Sequence, residues 1–309
     1  MRPASAPERT RHRMCLRATL NAGLCLRLVR YSFRFVLCAL LSTIIPSHAS
    51  FCSLKSLITS LQPLLPPPST LSLYLPTSPQ YVLTMLAASS LSCPLVPIYT
   101  TSPVATIKHV LGETSPRAIL VHPTLLSNLL KALEGLPGLD PTLILLSSHS
   151  SPLPYKTLLF QTLLTSPPTQ PTLPPPNTTA IICYTSGTTS LPKGVCLTHS
   201  NLSFTLQSLL TRPGVKLGQG AVHLSYLPIQ HIFETLLTLG FVSTGGRVAF
   251  VRYQPDPKKQ GETLTEDMQA AGPTVWVAVP RVLEKVAVAL KAKVRERAEV
   301  SGKERRSFK

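Results

Sequence analysis

Acidic side chains are scarce in this chain of 309 residues, which holds 13 aspartates and glutamates against 30 lysines and arginines. The net charge of +17 is concentrated at the two ends. Residues 1–34 carry eight arginines and one glutamate, and residues 281–309 carry ten basic and four acidic side chains. Aromatic residues make up only 6% of the chain, and no nucleic-acid-binding module is recognisable. We therefore expect no nucleic-acid partner.

The cysteines form no recognisable pattern. Their number, seven, is odd, and the sequence contains no CxxC pair. Both features argue against a disulfide framework and against a zinc site. We therefore predict no bound structural metal, and a reducing intracellular compartment fits the sequence best.

Long apolar runs are lacking as well. The apolar run over residues 35–45 has 11 residues, too few to span a bilayer. Residues 1–52 are predicted to be a basic leader, and three interpretations stay open: a mitochondrial transit peptide, a signal-peptide-like segment, or a disordered segment outside the fold. Because arginines bind anionic lipid, we expect an intracellular, membrane-associated location, at the surface of the endoplasmic reticulum, mitochondria or peroxisomes.

Residues 53–309 are predicted to be the folded body, because short apolar runs alternate there with segments of helical periodicity. This alternation predicts an α/β fold with mostly parallel sheets flanked by helices. Prolines crowd residues 151–176, where we predict no regular element. The predicted strands are 95–98, 118–122, 180–184, 195–197, 222–227, 247–252 and 275–279, and the predicted helices are 81–88, 123–133, one capped at Ser200-Asn201, 232–239, 263–271 and 281–297.

Residues 184–195 read YTSGTTSLPKGV, a hydroxyl- and glycine-rich segment that follows the predicted strand 180–184. Hydroxyls and exposed backbone amides bind phosphate oxygens, and a lysine adds positive charge. This is not a Walker A motif, because Lys193 precedes the glycine rather than following it. We predict a phosphate-binding loop at the carboxyl end of a strand, with seven candidate contacts: Thr185, Ser186, Gly187, Thr188, Thr189, Lys193 and Gly194.

The loop closely resembles the (Y/F)TSGTTGxPKGV signature of the acyl-adenylating superfamily. Four further segments are similar to long-chain fatty acyl-CoA synthetases, so the resemblance spans about residues 53–309. Ser190 stands where that family usually has glycine, and a serine held at positive φ would cost about 1–2 kcal/mol. The four segments are 73–82 (LYLPTSPQYV), 94–99 (PLVPIY), 226–234 (YLPIQHIFE) and 273–282 (PTVWVAVPRV).

The resemblance implies a fatty acid–CoA ligase that uses ATP, Mg²⁺ and CoA. In such enzymes a carboxylate attacks the α-phosphorus of ATP to give an acyl-adenylate, and the CoA thiol then displaces AMP. The loop residues carry over as the phosphate contacts, and His231 carries over as the catalytic candidate beside the acyl-adenylate. The alternative for His231 is a cap of the helix that begins at Ile232, and Glu234 is predicted to be a helix-start charge.

The family's YGxTE motif is not found in this sequence. By resemblance, we expect an incomplete large N-terminal domain that lacks most of the Mg²⁺ ligands and the small mobile C-terminal domain. Such a chain is expected to be weak or inactive alone. Two other interpretations stay open: a non-catalytic remnant that binds nucleotide or a partner, and a different acyl-adenylating enzyme.

Overall fold

The computed structural model describes residues 48–185, 191–212, 217–280, 282–284, 286–288 and 291. The predicted leader therefore lies almost wholly outside the described residues, as does most of the predicted helix 281–297. The first described element is helix α1 (His48–Leu61), which spans the boundary predicted at residue 52. Because Leu54, Leu57 and Leu61 are fully buried, this helix belongs to the folded body.

The larger sheet has seven strands in the order β5-β4-β3-β1-β2-β6-β7. Its first six members run parallel, and only β7 is antiparallel to its neighbour β6. The prediction of a mostly parallel sheet is confirmed. The strands are β1 (Leu71–Tyr74), β2 (Leu95–Pro97), β3 (Ala118–Val121), β4 (Thr142–Leu145), β5 (Thr157–Leu159), β6 (Thr179–Thr185) and β7 (Lys193–Thr198).

Helices cover both faces of this sheet. Side chains of Val96, Ile119 and Val121 share one buried cluster with apolar residues of the second and third connecting helices. Residues at the alternate strand positions, such as Leu71 and Leu120, are equally buried, as expected for a parallel sheet covered on both faces. The helices that connect these strands are α2 (Pro79–Ser90), α3 (Val104–Thr114), α4 (Leu126–Glu134), which follows a 3₁₀ turn at Pro123–Leu125, and α5 (Phe160–Leu163).

Helix α6 (His199–Leu210) begins two residues earlier than predicted. Its N-cap is Thr198, whose hydroxyl accepts a hydrogen bond from the Asn201 backbone N–H at 3.2 Å. The Asn201 side chain accepts in return from the Thr198 N–H at 3.0 Å. This reciprocal capping box satisfies two amides that the helix itself leaves unpaired, which explains where the helix begins.

A second, smaller sheet pairs β8 (Val222–Ser225) with β9 (Arg247–Phe250) in parallel. Helix α7 (Ile232–Ser243) connects these strands, and helix α8 (Pro257–Ala271) follows them. The β8–α7 connection rests on the end of β1, where the Gln230 side-chain amide donates to the Leu75 carbonyl at 2.7 Å. The smaller sheet is thereby attached at the carboxyl edge of the larger one.

Two predictions about regular structure were wrong. The proline-rich segment 151–176 contains both β5 and α5, because the residues of 157–163 include no proline and β5 can pair with β4 at the sheet edge. The predicted strand 275–279 is reduced to a single bridge residue, Val275, which begins a second compact unit. The described part of that unit from Pro280 onward is helical.

Within the described ranges, no helix is both long enough and apolar enough to cross a bilayer.

The capping box of α6 should contribute measurably to stability. We expect Thr198→Ala to lower the free energy of unfolding by about 1 kcal/mol, because an amide of the first helical turn loses its acceptor. Thr198→Ser keeps the acceptor and should stay close to the unsubstituted chain. Thr205→Ala, on an exposed turn of the same helix, serves as the control. Urea unfolding measures all three, and equal midpoints for Thr198→Ala and Thr205→Ala would contradict the assignment.

Candidate functional site

The predicted phosphate loop leaves the larger sheet where β6 ends and returns where β7 begins. Thr185, the last residue of β6, lies opposite Lys193, the first residue of β7. Residues directly opposite each other in an antiparallel pair point to the same face, so the hydroxyl and the ammonium project together. Both residues are exposed, and no carboxylate partner of Lys193 occurs among the described residues. We call this pair, Thr185 and Lys193, the loop base. It presents a donor hydroxyl and an available cation.

Four of the seven predicted phosphate contacts, Ser186, Gly187, Thr188 and Thr189, lie outside the described residues, as does Ser190. Their roles stay predictions. The position of the loop at the carboxyl end of β6 is as predicted. Because β6 runs parallel to β2, this is also the edge at which β1 and β2 end, the usual ligand-binding edge of an open α/β sheet.

Gly194 has a packing role that the sequence did not reveal. It lies opposite Tyr184, and a Cβ atom at Gly194 would come within 3.0 Å of Ile182 and 3.2 Å of the Tyr184 ring. The glycine therefore leaves room for the tyrosine ring to lie across β7. Its predicted contact with phosphate is untested by this geometry.

The β8–α7 connection carries His231 to the same edge of the sheet. Thr77, just beyond β1, binds this connection twice: its hydroxyl donates to the Leu227 carbonyl and accepts from the Ile229 N–H, both at 3.1 Å. Together with the Gln230 contact, these bonds fix the backbone immediately before His231.

His231 occupies the N-cap position of α7, but its side chain makes no capping hydrogen bond. The alternative of His231 as the cap of the helix that begins at Ile232 is therefore confirmed for its position, although the imidazole makes no capping bond. Its Nδ1 lies 2.9 Å from the hydroxyl of Tyr99, and the two rings meet edge to face with centroids 4.8 Å apart. Tyr99 follows β2, so this contact joins the carboxyl end of β2 to the start of α7.

Tyr99 also occupies one ring nitrogen of His231. Burial, and secondarily the nearby Cys183 thiol, raises the pKa of Tyr99, so its hydroxyl keeps its proton and can either donate to Nδ1 or accept from it. A neutral imidazole that accepts at Nδ1 carries its hydrogen on Nε2, on the opposite edge of the ring. Tyr99 was not among the predicted site residues, although it closes the PLVPIY segment.

A family model described as AMP-binding enzyme matches residues 65–307. The chain belongs to this family. Peroxisomal long chain acyl-CoA synthetase 6 of Arabidopsis thaliana is 32% identical over 231 residues, which are 72% of this chain and 32% of that protein. Long-chain-fatty-acid–CoA ligase 5 of Mus musculus is 39% identical over 119 residues, which are 38% of this chain and 16% of that protein. The chain thus spans about a third or less of the length of these relatives.

Solved structures share the fold. A long-chain-fatty-acid-CoA ligase from Archaeoglobus fulgidus superposes with a TM-score of 0.64 at 22% identity, over 79% of this chain and 46% of that one. The A-PCP didomain of carboxylic acid reductase from Segniliparus rugosus, in complex with AMP, superposes with a TM-score of 0.72 at 16% identity. This match covers 91% of this chain and 47% of that one. The predicted fold class and the resemblance to long-chain acyl-CoA synthetases are therefore confirmed.

In this member of the AMP-binding enzyme family, a buried polar cluster fixes the first turn of α7. Glu234 lies in that turn, as predicted for a helix-start charge, but it is fully buried. Its Oε1 accepts from His223 Nε2 at 2.8 Å and from the Ser225 hydroxyl at 2.5 Å. The His223 ring stacks on Phe241, with centroids 4.9 Å apart. Because His223 and Ser225 belong to β8, the cluster fastens the helix start that carries His231.

The described residues contain no group of three or more His, Cys, Asp or Glu side chains that could hold a metal ion. Thr185 and Lys193 remain predicted contacts of the ATP phosphates.

Removal of the buried carboxylate should destabilise the chain strongly. We expect Glu234→Leu to cost about 3–5 kcal/mol, because it leaves the buried His223 and Ser225 donors without their acceptor. Glu234→Gln keeps an acceptor oxygen and should lose clearly less. Chemical unfolding followed by circular dichroism measures both. If the two variants lose the same stability, the hydrogen bonds to Oε1 are not what holds the helix start.

Proposed function

We propose that this chain forms the ATP-phosphate and carboxylate site of a long-chain fatty acid–CoA ligase. In the first step, an oxygen of the fatty acid carboxylate bonds to the α-phosphorus of ATP while the bond to the pyrophosphate oxygen breaks. In the second, the thiol of CoA displaces AMP and loses its proton, which leaves an acyl thioester. The family, the fold and the long-chain acyl-CoA synthetase relatives support this proposal.

The observation that carries the proposal is the pairing of Thr185 with Lys193 at the ligand-binding edge of the sheet. A carboxylate and a triphosphate are both anionic, so their approach requires positive charge placed in advance. Lys193 is exposed at this edge and has no carboxylate partner among the described residues, so its charge is available to phosphate oxygens. Thr185 adds a hydroxyl donor beside it.

His231 supplies the second element of the proposed site. Its Nδ1 is occupied by Tyr99, so Nε2 is the ring nitrogen that remains for a bound substrate. We assign to the Nε2–H the role of a donor that orients the carboxylate or the adenylate next to the phosphate groups.

The exchange of labelled pyrophosphate into ATP, driven by palmitate, tests the first step. We expect Lys193→Ala to weaken ATP binding about 10–100-fold, because a charge-assisted hydrogen bond contributes about 1.5–3 kcal/mol. Lys131→Ala, an exposed lysine on α4, is the matched control and should bind ATP normally. ATP binding is measured by calorimetry with Mg²⁺ present.

The outcomes separate the alternatives. Exchange with palmitate supports the long-chain ligase, whereas exchange only with aromatic acids or amino acids points to a different acyl-adenylating enzyme. ATP binding without any exchange supports a nucleotide-binding remnant. If Lys193→Ala binds ATP as tightly as the unsubstituted chain, the phosphate site is misplaced.

We further propose that the basic segment before α1, residues 1–47, is a membrane-directed leader. The eight arginines of residues 1–34 favour anionic lipid surfaces, at roughly 1 kcal/mol per basic residue close to the membrane.

Removal of residues 1–47 should therefore reduce binding to vesicles that contain phosphatidylserine, and neutral vesicles should bind neither form. Co-sedimentation at low and high salt measures this, because screening should weaken the same interaction. Equal binding by the full and shortened chains would contradict a membrane role for the leader.

A further inference from the structure

Helix α3 contacts the residue before each of the two proposed phosphate ligands, Thr185 and Lys193. Its residues His109 and Glu113 are four positions apart, so they lie on the same face of the helix. Their side chains approach each other, with His109 Nε2 3.6 Å from Glu113 Oε2. Each of them also binds one of the two residues that precede the proposed ligands.

Glu113 binds the strand that leads into the loop. Its Oε2 accepts a hydrogen bond from the Tyr184 hydroxyl at 2.8 Å. Burial, followed by this bond to Glu113, raises the pKa of Tyr184, so the hydroxyl keeps its proton and remains the donor. Tyr184 immediately precedes Thr185, and the room left by Gly194 allows its ring to lie across β7.

His109 binds the residue that immediately precedes β7. Its Nε2 lies 2.8 Å from the backbone carbonyl of Pro192, the residue before Lys193. A carbonyl oxygen only accepts, so Nε2 carries the hydrogen and donates it. The imidazole also stands edge-on to the Tyr184 ring, with centroids 6.1 Å apart and an angle of 83° between the planes. One face of α3 therefore binds Tyr184 and Pro192, the residues that precede Thr185 and Lys193.

We propose that His109 and Glu113 are positioning residues that hold the paired Thr185 and Lys193 in the place which ATP phosphates require. This inference rests on the proposed function. A ladder end held only by its own strand pairing would fray, and a ligand would have to restrict that motion on binding. Because α3 is packed into the buried core through Ile107, Val110 and Leu111, it holds the two strands from a rigid support.

The test compares ATP binding and enzyme kinetics in matched pairs of variants of the full chain. His109→Leu removes the donor to Pro192, whereas His109→Gln keeps an N–H donor. Glu113→Leu removes the acceptor of Tyr184, whereas Glu113→Gln keeps it. His149→Leu, an exposed histidine that binds only the Ser151 segment, is the control.

We expect both leucine variants to raise the Kd and the KM for ATP about tenfold, with the KM for palmitate unchanged. Both glutamine variants and the control should stay within about threefold of the unsubstituted chain. The double variant Glu113→Leu with Tyr184→Phe should lose no more affinity than Glu113→Leu alone, because both changes break the same hydrogen bond. Amide hydrogen exchange of β7 should accelerate in the leucine variants.

Several results would overturn the inference. ATP affinity within twofold in both leucine variants would show that α3 does not position the ligands. An equally large loss of ATP affinity in the glutamine variants would indicate a stability effect alone. A loss of ATP affinity that follows the melting temperature across all variants would indicate the same. If Lys193→Ala weakens ATP binding while the leucine variants bind normally, this inference fails and the proposed function stands. If the unsubstituted chain does not bind ATP, both fall.

Discussion

The site depends on one constraint, the parallel pairing of β6 with β2. Leu95 lies opposite Ile181 in this pair, and the pairing sends the carboxyl end of β6 to the edge where β1 and β2 also end. Tyr99 after β2 and the loop base at the end of β6 are neighbours for this reason alone. An antiparallel β6 would carry Thr185 to the opposite edge, away from His231. The direction of a single strand therefore decides whether the phosphate groups and the imidazole can share a substrate.

The sequence predicted those features that depend on neighbouring residues. The apolar run 180–184 became the buried part of β6, and the hydroxyl-rich segment after it began at the end of that strand. The partners that complete the site lie far apart in the chain. Glu113 is separated from Tyr184 by 71 residues and Tyr99 from His231 by 132. Such contacts follow from the strand order, and apolar periodicity carries no information about which strands are adjacent. The edge strand β5 was not predicted because prolines are frequent in the surrounding segment, although none lies in the strand itself.

Polar contacts attach the smaller sheet to the larger one at the site. Thr77 and Gln230 bind backbone groups across the junction, and the Tyr99–His231 bond adds a side-chain contact. Directional bonds of this kind specify position better than apolar contact does, since an acceptor displaced by one residue is lost. Glu234 fixes position in the same way beside the smaller sheet, where one of its carboxylate oxygens accepts hydrogen bonds from two residues of β8.

The register of β6 and β7 also determines how two cysteine side chains are oriented relative to each other. Cys183 lies opposite Val195, whereas Cys196 lies opposite Ile182, so the two thiols point to opposite faces of the hairpin. A disulfide between them would require Cβ atoms about 4 Å apart and facing each other, which this pairing forbids. Burial raises the pKa of Cys183 to about 11, which keeps that thiol protonated and slow to react at neutral pH. An oxidant therefore cannot join these two cysteines to each other across the proposed nucleotide site.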